Sequence, residues 1–181
     1  MVITEVEPLS RTRYKVYIDG KFAFVLYKGD LARYHLARGC EIPEETCRQI
    51  RREVVLKRAK MRALHLLNDM GRTEAQLRAK LRQNHYTEEI VEETLAYVKS
   101  FGYVNDGAYA RNFIETRKGQ KSRREIYARL CEKGISREEI EAAMEECYSG
   151  EDSREAIREL LRKKGWNPEG MDEKERRKML G

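Results

Sequence analysis

The side chains that could most readily bind a charged ligand are cations, and they are spread unevenly. From Arg111 to Lys133 the chain has eight basic and three acidic residues, whereas residues 137–155 hold two basic and eight acidic ones. Five cations surround a predicted helix–helix turn and the start of the second helix: Arg117, Lys118, Lys121, Arg123 and Arg124. Because a helix N-terminus carries partial positive charge, cations there do not favour the helix itself. A phosphate backbone or an acidic protein surface would explain them, and a solvated helix face is the alternative.

A second basic stretch runs from Arg48 to Arg62, with seven basic residues and one acidic residue, Glu53. Its candidate binding residues are Arg51, Arg52, Lys57 and Arg58. A solvated helix face explains this stretch slightly better than a binding site does. Trp166 follows a glycine in a predicted loop, where its ring either contacts a base or closes the end of a helix.

Groups that catalysis or metal binding would need do not converge in the sequence. His35, His65 and His85 are far apart, with no spacing that places two on one helix face. The four cysteines match no zinc or redox spacing, and no glycine-rich phosphate loop or nucleophile motif occurs. The sequence therefore predicts a protein that binds rather than catalyses, with no metal and no cofactor.

Charge and hydropathy indicate the cellular compartment of the chain. The 181 residues include 37 basic and 31 acidic side chains, a formal net charge of +6. No apolar run approaches the ~20 residues that span a bilayer, and the first residues lack the pattern of a signal peptide. We expect a cytoplasmic protein with reduced thiols and no membrane partner.

An internal repeat organises most of the chain. Residues 72–95 match residues 121–144 at a shift of 49, so that Thr73 falls on Ser122, Leu77 on Ile126 and Leu81 on Leu130. Apolar positions stay apolar, and helix-cap positions keep a hydroxyl group. A period near fifty residues accommodates three short helices, which predicts a mainly α fold of tandem three-helix bundles in an elongated array.

The first forty residues have a different pattern, that of β-strands. Asp19-Gly20 lies between two β-prone runs, which predicts a tight hairpin, with residues 2–6 adding a third strand or a helix covering one face. Tyr14, Val16 and Ile18 should share one face, and Phe22, Phe24 and Leu26 should form a second inward set. Asp30 is predicted to cap a short helix over residues 31–37.

We predict four segments: a β segment with a short helix (1–43), helical repeat 1 with a long first helix (44–104), repeat 2 (105–150) and an incomplete repeat 3 (151–181). The long helix should run over residues 44–69, with an apolar stripe of Ile50, Val54, Met61, Leu64 and Leu67.

Hydroxyl residues should cap the later helices. Thr73 is predicted to cap residues 74–83 and Thr87 residues 88–101, and a helix should follow Asn105 as far as residue 118. Ser122 should cap a helix to residue 133, and Ser136 should form a capping box with Glu139 before a helix to residue 148.

The repeat also predicts which positions are buried. Six residues should form the core of repeat 1: Leu77, Leu81, Tyr86, Val91, Leu95 and Val98. In the first helices, Ala110, Phe113 and Ile114 should correspond to Met61, Leu64 and His65, which places His65 at the edge of the core.

These motifs resemble those of the RecX regulatory proteins. The residues that carry the resemblance are the helix from Thr73 to Leu81, the linker Phe101-Gly102-Tyr103-Val104-Asn105-Asp106, the pair Tyr109-Ala110, Phe113-Ile114, and Lys133-Gly134-Ile135. The resemblance covers essentially the whole chain. One departure is His85, which stands where the family often has glycine; Asn84 is then the residue expected to adopt the left-handed conformation.

The resemblance implies a function. RecX proteins are built of tandem three-helix units, bind the RecA recombinase filament on DNA, and inhibit strand exchange, ATP turnover and cleavage of the SOS repressor. By this resemblance the partners are RecA and single- or double-stranded DNA, with the chain acting as a monomer. Two alternatives remain: a helical DNA-binding module that acts without RecA, and a scaffold whose hairpin edge recruits a partner strand.

Overall fold

The structure, a computed structural model, describes residues 1–148, 157, 158 and 161. The chain divides into two compact units, Met1–Asp106 and Gly107–Gly181. The predicted third repeat and Trp166 lie outside the described residues, apart from a few helical positions near residue 157. Within the described part no helix has both the length and the apolar character needed to cross a membrane.

The first unit begins with a three-stranded antiparallel sheet of order β1-β2-β3, formed by β1 (Ile3–Pro8), β2 (Arg13–Ile18) and β3 (Lys21–Tyr27). The turn between β2 and β3 has φ of 49° at Asp19 and 77° at Gly20. A two-residue hairpin of type I′ requires positive φ at both positions. The hairpin and the third strand predicted from the sequence are therefore confirmed.

One strand position faces away from its predicted side. Val16, Ile18, Phe24 and Leu26 are buried, but Phe22 is 36% exposed. The pairing shifts register between Val16 and Tyr17, so that Phe22 pairs with Tyr17 and its ring meets the tyrosine edge-on at 5.8 Å. The irregularity turns the Phe22 side chain away from the buried face of the sheet. The prediction that Phe22 faces inward with Phe24 and Leu26 was wrong.

Helix α1 (Lys28–Arg33) starts earlier than predicted, and Asp30 is not its N-cap. Tyr27 occupies the cap position, and Asp30 lies three residues later, where its carboxylate accepts the Tyr27 backbone N–H at 2.8 Å. The same carboxylate accepts two hydrogen bonds from Arg58, at 2.5 and 2.9 Å. Asp30 thus joins the end of the sheet to the long helix.

That long helix spans the predicted residues but is not α-helical throughout. It consists of α2 (Glu44–Gln49), a π-helical segment (Ile50–Leu56) and α3 (Lys57–Asp69). A π turn takes more residues than an α turn, so it rotates every later side chain about the axis. Ala59, Ala63 and Leu66 are buried as a result, whereas Met61 is 62% exposed. The predicted apolar stripe is therefore wrong at Met61, whereas Leu64 and Leu67 are partly buried and pack against the first core.

The sheet packs on this helix. Their shared core includes Ile3, Val16 and Leu26 from the sheet and Ile50 and Val54 from the π-helical segment. Ile90, from the third helix of the bundle, completes the same cluster. The β segment and the first helical bundle are therefore built into one unit.

Helices α4 (Glu74–Gln83) and α5 (Glu88–Ser100) complete the first bundle. Thr73 forms the predicted cap: its hydroxyl accepts the Gln76 N–H at 3.2 Å, and the Gln76 side chain accepts the Thr73 N–H at 3.3 Å. Thr87 precedes α5 as predicted but makes no side-chain capping bond. The six predicted core residues are confirmed, with Tyr86 only partly buried: Leu77, Leu81, Tyr86, Val91, Leu95 and Val98.

The second unit contains α6 (Asp106–Glu115), α7 (Arg123–Glu132) and α8 (Arg137–Cys147). Helix α6 ends three residues before the predicted position. Ser122 caps α7 by accepting the Glu125 N–H at 3.2 Å. Ser136 accepts the Glu139 N–H, but the Glu139 carboxylate accepts from the Ser136 hydroxyl in place of the second bond of a capping box.

The first helices of the two bundles correspond at a shift of 47 rather than 49. Ala110, Phe113 and Ile114 are buried, and residues 47 positions earlier are Ala63, Leu66 and Leu67, which face the first core. The connection from α6 to α7 is longer than that from α3 to α4, which changes the shift. His65 is exposed as a consequence, so its predicted place at the core edge was wrong.

The turns before the third helices keep the 49-residue shift. His85 has a φ of 64° and Gly134 a φ of 80°. The left-handed conformation therefore falls on His85 itself and not on Asn84, whose φ is −85°. Lacking a Cβ, glycine adopts this conformation without strain, and the first bundle accepts histidine there instead.

Candidate functional site

A small basic pocket with an aromatic floor lies on the second unit. It has a volume of about 280 Å³ and lies between the end of α6 and helix α7. Four cations line it together with one carboxylate, Glu125: Arg117, Lys121, Arg129 and Lys133. The Arg117 guanidinium lies 3.9 Å from the centre of the Phe113 ring, and the Lys133 ammonium lies 5.6 Å from the same ring.

Local sequence explains why these cations converge. After α6 the chain turns tightly, with the N–H groups of Gln120 and Lys121 donating to the Arg117 carbonyl at 2.9 Å. Ser122 then caps α7, on which Glu125 and Arg129 are four residues apart and so share one face; Lys121, just before the cap, contacts Glu125 at 2.9 Å. At the far end Lys133 precedes the left-handed Gly134, and its ammonium group reaches back over Tyr109 at 5.7 Å.

The pocket keeps an excess of positive charge although some of its cations are paired. Lys121 contacts Glu125 at 2.9 Å and Arg129 contacts Glu132 at 3.1 Å, and both pairs are exposed. Exposed pairs of this kind contribute only ~0–1 kcal/mol, so an anionic ligand can replace them. Four cations against one carboxylate leave an excess of three positive charges around the aromatic floor.

The remaining residues of the predicted cluster lie outside this pocket. Lys118 pairs with Glu115 at 2.9 Å. Arg123 lies over the Tyr148 ring at 5.4 Å, in a separate shallow pocket that also contains Glu141 and Glu145. Arg124 is exposed and forms no hydrogen bond or ion pair with any described residue. The structure thus brings together Arg117 and Lys121 but not the whole cluster.

Two residues of the pocket were missed in the sequence. Arg129 lies four residues after Glu125 on the predicted helix that begins after Ser122, and this spacing was visible. Lys133 enters the pocket through the turn at Gly134, a long-range consequence of the fold that no helical periodicity predicts.

The four candidates from the second basic stretch divide in two. Arg51 pairs with Glu89 and Glu93 of α5, and Arg58 pairs with Asp30 and lies over the Tyr27 ring at 4.6 Å. These two hold the first unit together. Arg52 and Lys57 are exposed and form no ion pair with a described residue, but they line different clefts.

Histidine and cysteine side chains are dispersed over the described residues. No group of three or more histidine, cysteine, aspartate or glutamate side chains within residues 1–148 is arranged to hold a metal ion. The three histidines are exposed on separate segments, before α2, on α3 and between α4 and α5. Among the cysteines, burial raises the pKa of the Cys47 thiol and that of Cys147, and hydrogen bonding to Glu115 raises the latter further. A raised pKa disfavours the reactive thiolate.

A chain with two tandem three-helix bundles and an added β-sheet belongs to the class of helical-repeat proteins. Comparison with known proteins gives the family. The model for "RecX, first three-helix domain" matches residues 59–97, and that for "RecX, second three-helix domain" matches residues 105–144.

Similar whole proteins agree with these matches. "Regulatory protein RecX" of Caldanaerobacter subterraneus subsp. tengcongensis is 34% identical over 166 residues, covering 91% of this chain and 84% of that protein. "Regulatory protein RecX" of Clostridioides difficile is 32% identical over 151 residues, covering 80% and 70%. A crystal structure of regulatory protein RecX superposes with a TM-score of 0.60 at 27% identity, covering 98% of this chain and 88% of that one. The chain belongs to the RecX family.

Proposed function

We propose that this chain is a non-catalytic cytoplasmic regulator that binds the RecA recombinase filament on DNA and thereby modulates recombination, ATP turnover and SOS repressor cleavage. Family membership points to a regulator related to RecA. The observation that carries the proposal is the basic, aromatic-floored pocket on the second unit, which suits an anionic surface. A protein filament on DNA presents both acidic side chains and phosphates.

Tandem architecture supports binding to a repetitive partner. Two related bundles in one chain can each make contact with a filament, and the second contact then forms at a high effective concentration. The affinity of the whole chain can exceed that of one bundle by ~10² or more when the linker permits both contacts. The chain acts as a monomer in this proposal, because the filament supplies the repetition.

ATP hydrolysis by purified RecA on single-stranded DNA tests the proposal, with the chain added below the RecA concentration. The wild-type chain should lower the rate. The double variant Arg117→Glu/Lys121→Glu should lose most of this effect, because two pocket cations become anions. The matched control Arg11→Glu/Arg38→Glu, with the same charge change at exposed positions of the first unit, should keep it. An unchanged hydrolysis rate with the wild-type chain would refute the proposal.

A second candidate function is DNA binding without RecA, favoured by Arg124, which is exposed on α7 and forms no ion pair with a described residue. It is distinguished by titrating the chain against a labelled oligonucleotide at several salt concentrations. Each phosphate contact contributes about one unit to the slope of log affinity against log salt. Arg124→Gln and Lys121→Gln should each reduce that slope by about one if DNA is the direct ligand.

A further inference from the structure

A large cleft on the first unit, separate from the pocket of the second, also has a positive charge. It has a volume of about 890 Å³ and is lined by strands β2 and β3, helix α1, the π-helical segment, α3 and the turn before α5. Ligand sites in proteins commonly measure ~300–1,000 Å³. Five cations and two carboxylates, Asp30 and Glu53, line it, and the cations are Arg13, Arg33, Lys57, Arg58 and Arg62.

The two carboxylates of the cleft neutralise only part of this positive charge. Both oxygens of Asp30 are taken up by Arg58 and the Tyr27 N–H. Glu53 is exposed and accepts the Gln49 side chain at 3.0 Å. By contrast, Arg13, Arg33, Lys57 and Arg62 form no ion pair with any residue that the structure describes. Four such cations against the one remaining carboxylate, Glu53, leave an excess of three positive charges for a ligand.

The position of Arg62 adds an independent indication of a ligand. Its Nε–H is buried and has no hydrogen-bond partner among the described residues. Buried polar groups of proteins are nearly always satisfied, and a guanidinium group is normally paired when it leaves water. The nearby Tyr86 is partly buried: burial raises the pKa of its hydroxyl, and the charges of Arg58, Arg62 and Arg13 act in the opposite direction. Three guanidinium groups thus line the same cleft as this hydroxyl.

The walls of the cleft distinguish between the kinds of anionic ligand. Val25, Val54 and Val55 give it an apolar lining, and Met61 at its rim is 62% exposed. Bases of single-stranded nucleic acid would need free aromatic faces for stacking. Arg58 already lies over the Tyr27 ring at 4.6 Å, and Tyr86 is partly buried. Carboxylates suit the fork geometry of arginine, and apolar side chains suit the valines.

We propose that this cleft binds an acidic segment of a partner protein, with carboxylates that pair with Arg13, Lys57 and Arg62 and apolar side chains that contact the valines. The site lies wholly within the first unit. The proposal stands or falls independently of the function assigned to the pocket on the second unit.

Fluorescence anisotropy with the full chain tests the site, using a fluorescein-labelled synthetic peptide that combines glutamates with leucines. Arg62→Gln and Lys57→Gln should each weaken binding about tenfold, because each removes a charge-assisted contact. Arg38→Gln makes the same charge change at an exposed position outside the cleft and should alter affinity less than about twofold. Thermal unfolding checks that the variants fold; Lys57 is exposed and unpaired, so its substitution leaves the fold unchanged.

Two probes decide what the cleft recognises. A peptide with glutamines in place of the glutamates should not bind at all. A labelled oligothymidylate should bind with the same affinity to wild type and to both cleft variants. The proposal is overturned if the acidic peptide does not bind at physiological salt, if its affinity is the same in the cleft variants, or if those variants lose the oligonucleotide instead.

Discussion

Thr73 shows how a buried side chain can cap a helix. It is fully buried, its hydroxyl caps α4, and the Gln76 side chain caps its own N–H in return. Thr87 occupies the same position before α5 but makes no such bond. The sequence predicts the same capping role for both threonines. Only Thr73 forms a side-chain capping bond, so we expect the two to contribute differently to stability.

We predict that Thr73→Ala lowers the free energy of unfolding by about 1–2 kcal/mol, the typical cost of losing a capping side chain. Thr87→Ala should cost less than about 0.5 kcal/mol. Urea unfolding followed by circular dichroism measures both. Equal losses in the two variants would mean that the hydroxyl bond to Gln76 does not explain the effect.

Asp30 and Arg58 form the ion pair that connects the sheet to the long helix. Burial alone would raise the pKa of Asp30, but the bonds from Arg58 and the Tyr27 N–H outweigh it, so the pKa lies below its usual value. A lowered carboxylate pKa means that the charged form stabilises the fold above the unfolded pKa, near 3.9. This stabilisation is lost as the pH falls through the still lower folded pKa.

Asp30→Asn should therefore destabilise the chain by about 1–2 kcal/mol at pH 7, near the low end because the Arg58 side chain is 38% exposed to water. The difference from wild type should be constant from about pH 5 to pH 8 and shrink below about pH 4. Urea unfolding at a series of pH values tests this. A difference that persists undiminished at the acid end would exclude the ion pair as its cause.

At the scale of elements, the π-helical segment has the largest effect on which residues are buried. It turns Ala59, Ala63 and Leu66 into the core and leaves Met61 outside. Without it, a continuous α-helix would keep the phase that the sequence pattern suggests. The π-helical segment therefore determines which side chains the long helix contributes to each of the two hydrophobic cores of the first unit.

This phase predicts opposite results for two apolar residues on one helix. Leu66→Ala should lower the free energy of unfolding by about 2–4 kcal/mol, because it leaves a cavity in a packed core. Met61→Ala should change it by less than about 0.5 kcal/mol. Denaturant titration of both variants measures these changes. A larger loss of stability in Met61→Ala than in Leu66→Ala would mean that the helix keeps an unbroken α-helical phase.

How much the sequence could predict depended on the range of the interactions involved. The hairpin at Asp19-Gly20 and the caps at Thr73 and Ser122 are local signals, and the structure confirms them. The exposure of Met61 was missed because a π turn has no local signature in apolar spacing. His65 was misplaced because one longer connection changed the repeat shift from 49 to 47.

The candidate site followed the same rule. Arg117 and Lys121 were identified because they are neighbours in sequence, and Arg129 was within reach of the helical spacing. Lys133 enters the pocket only through a turn. The cleft of the first unit joins Arg13, Lys57 and Arg62 across the sheet and the long helix. No sequence window contains that combination, because it depends on how the sheet packs.

At the scale of the whole molecule, the main structural feature is a three-helix bundle that recurs in both units. Each unit has its own hydrophobic packing and its own basic cavity. The cleft of the first unit has an apolar lining, and the pocket of the second unit has an aromatic floor. The net charge of +6 is modest, so the distribution of charge matters more than its sum. We expect the whole chain, rather than either unit, to have the regulatory activity.

Retention of the chain on immobilised RecA, with and without single-stranded DNA and nucleotide, tests the central proposal most directly. Retention should be strongest when RecA, DNA and nucleotide are all present, should be largely lost in Arg117→Glu/Lys121→Glu, and should survive in Arg11→Glu/Arg38→Glu. Equal retention on DNA alone, or none on the assembled filament, would contradict the proposal that the chain regulates RecA by binding its filament.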